Sequence, residues 1–416
     1  SCTPSGNRPD DGVPDPDAPT DSQPYLPDAS PPADGAPLPG GTVLYAEGPL
    51  HSPITPAIAA RLQAITAPGL SRQVFAKVGD SITVSPEFLY CFDGSFDLGA
   101  HDELAPTLSY FKTGDAAGTT PFSRDSLAAR GGTTAADALA GDPCTLESEL
   151  AEVDPRIAVV MFGTNEVRFG WTLDAAGTKL WALIDQTITR GTIPILSTIP
   201  GTVGFAEGDA QIPSFNRIVR AIAQGRHLPL VDFNRALEPL PNNGISSDQL
   251  HPSAAPGGGC VLTTAGLQYG YNMRNLVTLE ALARVDAALD GEPANGAAPT
   301  RAGSGVAADP FVGALPLVDL VATTAGESAI SNHGCGAPST GHEVVYRVTL
   351  SQSTQLEAFV VDPDGVDVDV YIIAGGTCVS GDASATATVG PGPVDIVVDA
   401  RTAGSDGEFI LVVQPR

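Results

Sequence analysis

Hydrophobic and polar positions change rhythm twice along this chain. Between residues 43 and 291, short apolar runs alternate with segments of helical spacing. "RQVFAKVG" (72–79), "RIAVVMFG" (156–163), "TIPILSTIP" (192–200) and "LPLVDF" (228–233) are rich in Val and Ile, and they are predicted as strands buried on both faces. "TLDAAGTKLWALIDQTITRG" (172–191) and "QIPSFNRIVRAIAQGR" (211–226) carry apolar residues at helical intervals and end at Gly or Arg. The stretch 262–291 contains a long closing helix, with Thr264 as one candidate N-cap. Strand–helix alternation with short connections predicts an α/β unit in which helices cover a parallel sheet.

The second rhythm begins after a small-residue, turn-rich linker at 292–315. "EVVYRVTL", "QLEAFVVD", "VDVDVYIIAG", "ATATVG", "PVDIVVDA" and "EFILVVQP" alternate with period two, are rich in β-branched residues and are separated by Gly, Pro and Asp. This pattern predicts an all-β sandwich over 316–416. The first 42 residues show neither rhythm. They hold eleven Pro, seven Asp and a single Arg, the composition of a disordered, self-repelling tether. Its "DDGVPDPDAPTD" lacks the Gly and the closing Glu of an EF-hand loop.

Composition narrows the function. A net charge of −27 repels nucleic acid and anionic membrane surfaces, which excludes a nucleic-acid partner. No run approaches the roughly 18 apolar residues of a membrane helix. The opening "SCTPSG" reads like the start of a processed chain. Cys2 there is either a lipid-carrying residue like that of a bacterial lipoprotein or a disulfide cysteine. The six cysteines form no CxxC pair and no zinc-spaced cluster, so disulfides in an oxidising, extracytoplasmic compartment are expected. Cys335 with Cys378 is the favoured pair and Cys91 with Cys144 the next, an arrangement that would leave Cys260 free.

Candidate chemistry starts at "VFAKVGDSITV", where a buried strand stops at Gly79-Asp80-Ser81. A Ser hydroxyl becomes a nucleophile when a base takes its proton, and that base is commonly a His held by a carboxylate. Of the six histidines (His51, His101, His227, His251, His333 and His342), only His251 has an acid three residues ahead, Asp248 in "SSDQLHPS". Oxyanion donors are offered by Asn165 in "VVMFGTNEV", just past the most apolar strand, and by Gly131 or Gly132 in "AARGGTTAADAL". The GxSxG elbow of α/β-hydrolases is absent.

"GDSIT", "RGGTT", "GTNE" and "DQLH", in that order, resemble the four blocks of the SGNH (GDSL-type) hydrolases. The resemblance implies a three-layer α/β/α, flavodoxin-like domain over 43–291 with about five parallel strands. It further implies Ser81 as nucleophile, His251 as base, Asp248 as its orienting acid, and Gly131 with Asn165 as oxyanion donors. Gly131 is taken over Gly132 because the following Gly-Thr-Thr then fits the block best. Two positions depart from the pattern: Ile82 replaces the usual Leu, and Glu166 stands where Asp is commoner. The C-terminal "HEVVYRVTL … DVDVYI … FILVV" resembles a pre-peptidase C-terminal-like domain, a passive attachment module for a surface or glycan.

Two further features carry weaker expectations. Asp362, Asp364, Asp367 and Asp369 could ligate Ca²⁺ but read better as a solvated strand face and turn, and Trp171 could line an acyl or sugar pocket or pack in the core. Together these readings predict a secreted or surface-tethered serine esterase that needs no metal or organic cofactor. Its substrate would be a small-molecule or polysaccharide ester, with a tilt toward short-chain or carbohydrate O-acyl esters. Lysophospholipase or acyltransferase chemistry at the same site is one alternative. A non-catalytic surface-binding protein is another.

Overall fold

The computed structural model describes residues 41–292, 297–336 and 338–416. Residues 1–40 of the expected tether, Cys2 included, lie outside the described residues. Four parallel strands form the first sheet: β1 (Ser71–Gly79), β2 (Pro155–Met161), β3 (Ile193–Ser197) and β4 (Leu230–Val231), adjacent in that order. Phe75 aligns with Ile157 and Ile157 with Ile193. All seven residues of β2 are buried, as the unbroken apolar runs require of strands covered on both faces.

Helices lie in two sets. Pro56–Ile65, Ala105–Lys112 and Phe233–Leu237 pack on Gly270–Leu289, while Ala135–Leu139, Leu173–Thr189 and Ile212–Arg226 pack on one another. The result is the expected three-layer α/β/α unit, with four strands among the described residues rather than about five. A trace of a fifth remains: Ala129 makes a single parallel bridge to Gly79 on the free side of β1. The Gly79 amide donates to the Ala128 carbonyl (3.0 Å) and the Arg130 amide to the Gly79 carbonyl (3.1 Å). That bridge brings the 131–134 loop beside the end of β1.

The closing helix starts later than its sequence signals. Its N-cap is Tyr269, not Thr264, and a 3₁₀ turn, Gly266–Gln268, intervenes. Tertiary contact sets the start: the Gly270 amide donates to Ser253 Oγ (3.1 Å), and a Cβ at Gly270 would collide with the Gly244 carbonyl.

The second rhythm folds as two packed sheets. Strands are β5 (Phe311–Gly313), β6 (Leu317–Ala322), β7 (Glu343–Leu350), β8 (Thr354–Val361), β9 (Val368–Ala374), β10 (Thr377–Asp382), β11 (Ser384–Val389), β12 (Gly392–Ala400) and β13 (Glu408–Pro415). One sheet runs β10-β9-β12-β7-β5 and the other β11-β8-β13-β6. Their facing side chains, among them Tyr346, Ile396 and Phe409, make a separate core. All six expected strands form. β5 lies inside the segment expected as linker, where the ring of buried Phe311 packs tilted against Tyr346. β10 was missed because its side chains are exposed or half-buried and carry no apolar alternation.

The sandwich shares a hydrophobic core with the α/β unit. Leu320, Phe359, Val361, Ile410 and Val412 leave the sandwich core and enter that of the α/β unit. Helix Ile212–Arg226 lies on β6 and β13, and helix Leu173–Thr189 on β8. A Cβ at Gly225 would collide with the Leu320 side chain, so glycine sets that close approach. At the edge, the Arg226 guanidinium bridges Asp185 and Glu408. Burial opposes its charge, but these carboxylates outweigh burial and keep it protonated.

Cys335 and Cys378 are bonded as expected. Cys91 pairs with Cys260, not with Cys144, and Cys260 is not free. The side chain of Asn275 explains the pairing. It accepts from the Leu89 amide (2.9 Å) and donates to the carbonyls of Glu87 (2.7 Å) and Gly259 (2.8 Å), drawing two distant loops together. Cys144 is itself disulfide-bonded.

Candidate active site

β1 delivers Ser81 to the rim of the sheet. A Cβ on Gly79 would collide with Thr83 and the Met161 carbonyl, so the turn out of the strand requires glycine. Asp80 caps the short helix Ser81–Val84, its Oδ1 accepting from the Ile82 amide at 2.9 Å. Burial pushes the Asp80 carboxyl up, against that amide and the charge of Arg274. Arg274 holds the turn from below, donating to the Ile82 carbonyl (2.6 Å) and Thr83 Oγ1 (2.9 Å), with its guanidinium 3.6 Å from the Phe88 ring. Fully buried, it has its pKa drawn down to about 10. Sequence reading missed Arg274. An Arg amid the apolar closing helix was the available signal.

The turn carrying His251 is organised by Asp248. Asp248 Oδ1 accepts from Ser246 Oγ (2.6 Å) and from the amides of Leu250 and His251 (both 3.0 Å). Its Oδ2 lies 2.7 Å from His251 Nδ1. Partial burial would raise the Asp248 carboxyl, but the hydrogen bonds from Ser246, His251 and the two amides prevail and hold it well below the usual range. A carboxylate at Nδ1 places the proton there and leaves Nε2 as acceptor. That Nε2 lies 2.8 Å from Ser81 Oγ, across a separation of 170 residues.

The other two predicted residues stand beside this relay. A Cβ built on Gly131 would lie 3.9 Å from Ser81 Cβ, while one on Gly132 would meet nothing within 4 Å. Gly131 is therefore the glycine that faces Ser81. Asn165, almost fully buried, donates from Nδ2 to the Thr133 carbonyl (2.8 Å) and so ties its helix to the Gly131 loop. Gly163, at φ +125°, lets that helix begin where the Phe215 ring leaves no room for a side chain.

Glu166 joins the same two loops. One oxygen accepts from the Ala135 amide (2.6 Å) and the other from the Gly163 amide (3.0 Å). Burial lifts its carboxyl to about 7; the Ala135 and Gly163 amides oppose the rise and Asp80 adds to it. The departure to Glu at this position thus buys reach between two loops.

The remaining candidates fall elsewhere. Trp171 is half-buried against the α/β core, with its amide bonded to the Glu166 carbonyl (3.0 Å). Among the described residues no three or more His, Cys, Asp or Glu are grouped to hold a metal. Asp367 and Asp369 pair with Arg401, and Asp362 accepts from the Val368 amide. His51 pairs with Glu280, His101 with Glu103, His333 with Asp399 and His342 with Asp406.

Residues 78–255 match the GDSL-like Lipase/Acylhydrolase family. Among solved structures the chain is similar to a GDSL-like lipase from Bacteroides thetaiotaomicron, at 16% identity over 54% of this chain and 98% of that one, TM-score 0.35. It is similar as well to an acetylxylan esterase from Geobacillus stearothermophilus, at 18% identity over 51% and 95% of the two chains, TM-score 0.32. No curated protein matches the sequence.

Proposed function

We propose that the chain, whose residues 78–255 match the GDSL-like lipase/acylhydrolase family, is a serine hydrolase of esters with Ser81, His251 and Asp248 as its catalytic triad and Gly131 and Asn165 as oxyanion donors. The unbroken relay from Asp248 through His251 to Ser81, at 2.7 and 2.8 Å, carries this reading.

The chemistry follows from which atom holds each proton. Ser81 Oγ attacks the ester carbonyl carbon as its proton passes to His251 Nε2, and Asp248 stabilises the imidazolium. The carbonyl oxygen takes the negative charge and meets the amides of Ser81 and Gly131 and the side-chain amide of Asn165. Nδ2 of Asn165 has two hydrogens, and Thr133 engages one of them, leaving the other for the oxyanion. Collapse breaks the carbon–oxygen bond, and Nε2 returns the proton to the departing alcohol. Water, deprotonated by the same nitrogen, then releases the acid and regenerates Ser81.

Disulfides at Cys91–Cys260 and Cys335–Cys378 support a place outside the reducing cytoplasm. The test is turnover of p-nitrophenyl esters together with labelling by a fluorophosphonate. Wild type should do both and Ser81→Ala neither. Full ester turnover by Ser81→Ala would overturn the assignment.

A further inference from the structure

Two phenylalanines that the relay does not use stand in water, one at the end of the Asn165 helix and one on a loop that touches the His251 turn. Phe169 is 57% exposed and Phe205 41%; Phe96, exposed to a similar degree, packs instead on the Phe92 ring with Lys112 Nζ over its own. Phe169 ends the helix that holds Asn165, its amide donating to the Asn165 carbonyl at 2.8 Å. Phe205 ends a loop that leans on the His251 turn. There Thr202 Oγ1 donates to the Gln249 carbonyl (3.3 Å), and a Cβ on Gly204 would lie 3.3 Å from that same oxygen. The two segments are fastened to each other: Arg168 Nη1 donates to the Val203 carbonyl at 2.8 Å, and Gly208 packs on Val167. Phe169 is one residue from that bond and Phe205 two, on a support that also touches the Asn165 helix and the His251 turn.

We propose that Phe169 and Phe205 form an apolar ledge beside the relay that receives the acyl chain of the ester, so that medium-chain acyl esters are preferred over acetyl esters. This rests on the triad reading above, and it turns away from the short-chain and carbohydrate tilt of the sequence. Phenylalanine presents apolar area with no hydrogen-bonding group, which suits methylenes better than hydroxyls. Trp171, the nearby aromatic that has a polar handle, is drawn into the core instead. The net charge of −27 disfavours an anionic lipid surface as occupant and favours single ester molecules. Since both backbone segments are hydrogen-bonded in place, little ordering cost accompanies binding. Each buried methylene should multiply kcat/KM by roughly 4, up to the length of the ledge.

The experiment compares p-nitrophenyl acetate, butyrate and octanoate below their micellar concentrations, with octanoate above it and acetylated xylo-oligosaccharides as further arms, on the full chain and on Phe169→Ala, Phe205→Ala and the double variant. Wild type should favour octanoate over acetate about tenfold or more in kcat/KM, and the double variant should lose most of that ratio through KM. Leu in place of either Phe should restore it, because apolar area and not aromaticity is used. An unchanged octanoate-to-acetate ratio in the double variant overturns the ledge. A loss seen only with micellar ester overturns it in favour of a lipid surface. A matching KM loss for acetylated xylo-oligosaccharides overturns it in favour of sugar stacking. Fluorophosphonate labelling of Ser81 reports the triad independently of the acyl chain.

Discussion

Two histidine–carboxylate pairs in this molecule have nearly the same geometry and different surroundings. At the rim of the α/β sheet, His251 Nδ1 lies 2.7 Å from Asp248, and the two side chains are 33% and 49% exposed. On the outer face of β12 in the sandwich domain, His333 Nε2 lies 2.6 Å from Asp399, and both side chains are fully buried. The rim pair has its second nitrogen on the Ser81 hydroxyl. The second nitrogen of His333 has no hydrogen-bond partner among the described residues, and its ring lies against Tyr371 instead. An imidazole held by a carboxylate is thus a common packing unit. In the proposed triad it serves as a base because the Ser81 hydroxyl stands at its second nitrogen.

Removing one imidazole from each pair tests the contrast. His251→Ala should lower kcat on p-nitrophenyl butyrate by about 10⁴-fold or more and leave the melting temperature nearly unchanged. His333→Ala should do the reverse, costing roughly 3–5 kcal/mol in urea unfolding by leaving Asp399 buried without its partner, with turnover per folded molecule intact. Equal activity losses in both would erase the distinction. Asn165→Ala comes next, with a loss on the order of 10²–10³ in kcat and little change in KM, since its second amide hydrogen is required only once the oxyanion forms.

The smallest effect sharpens the comparison on the side of buried carboxylates. Glu166 holds its proton up to about pH 7 in the folded chain, whereas the unfolded chain releases it near 4.5. Between those values the native state binds more protons, so stability should fall as pH rises across this window, by up to roughly 3 kcal/mol. Glu166→Gln should flatten that slope in urea titrations at pH 4.5 to 7. A slope identical to wild type would show that Glu166 titrates normally. Asp248 has the opposite sign: its depressed carboxyl stabilises the fold above the ordinary Asp range, and that contribution is lost as pH falls below it.

The readable and unreadable parts of the site divide along a physical line. Ser81, His251, Asp248, Asn165 and Gly131 each sit in a short loop or at the start of a short helix, where residue types answer to local backbone needs, such as the glycine at 79 and the cap at 80. Arg274 beneath the Ser81 turn, the reach of Glu166 between two loops and the Phe169–Phe205 support all depend on segments far apart in the chain. The pairing of Cys91 with Cys260 was hidden for the same reason: it follows from Asn275 on a third segment.

By itself the sequence determined what local interactions can determine. The period of its apolar residues separated a buried parallel sheet from a two-faced sandwich, and three-residue spacing was enough to close Asp248 on His251, because such a turn needs no distant partner. Only the tertiary structure decided that the imidazole at 251 meets the hydroxyl at 81, that one sandwich sheet buries its outer face on helix Ile212–Arg226, and that the fifth strand shrinks to one bridge. These outcomes depend on packing and chain closure between remote segments, and periodicity within a segment carries no record of which remote surface will cover it.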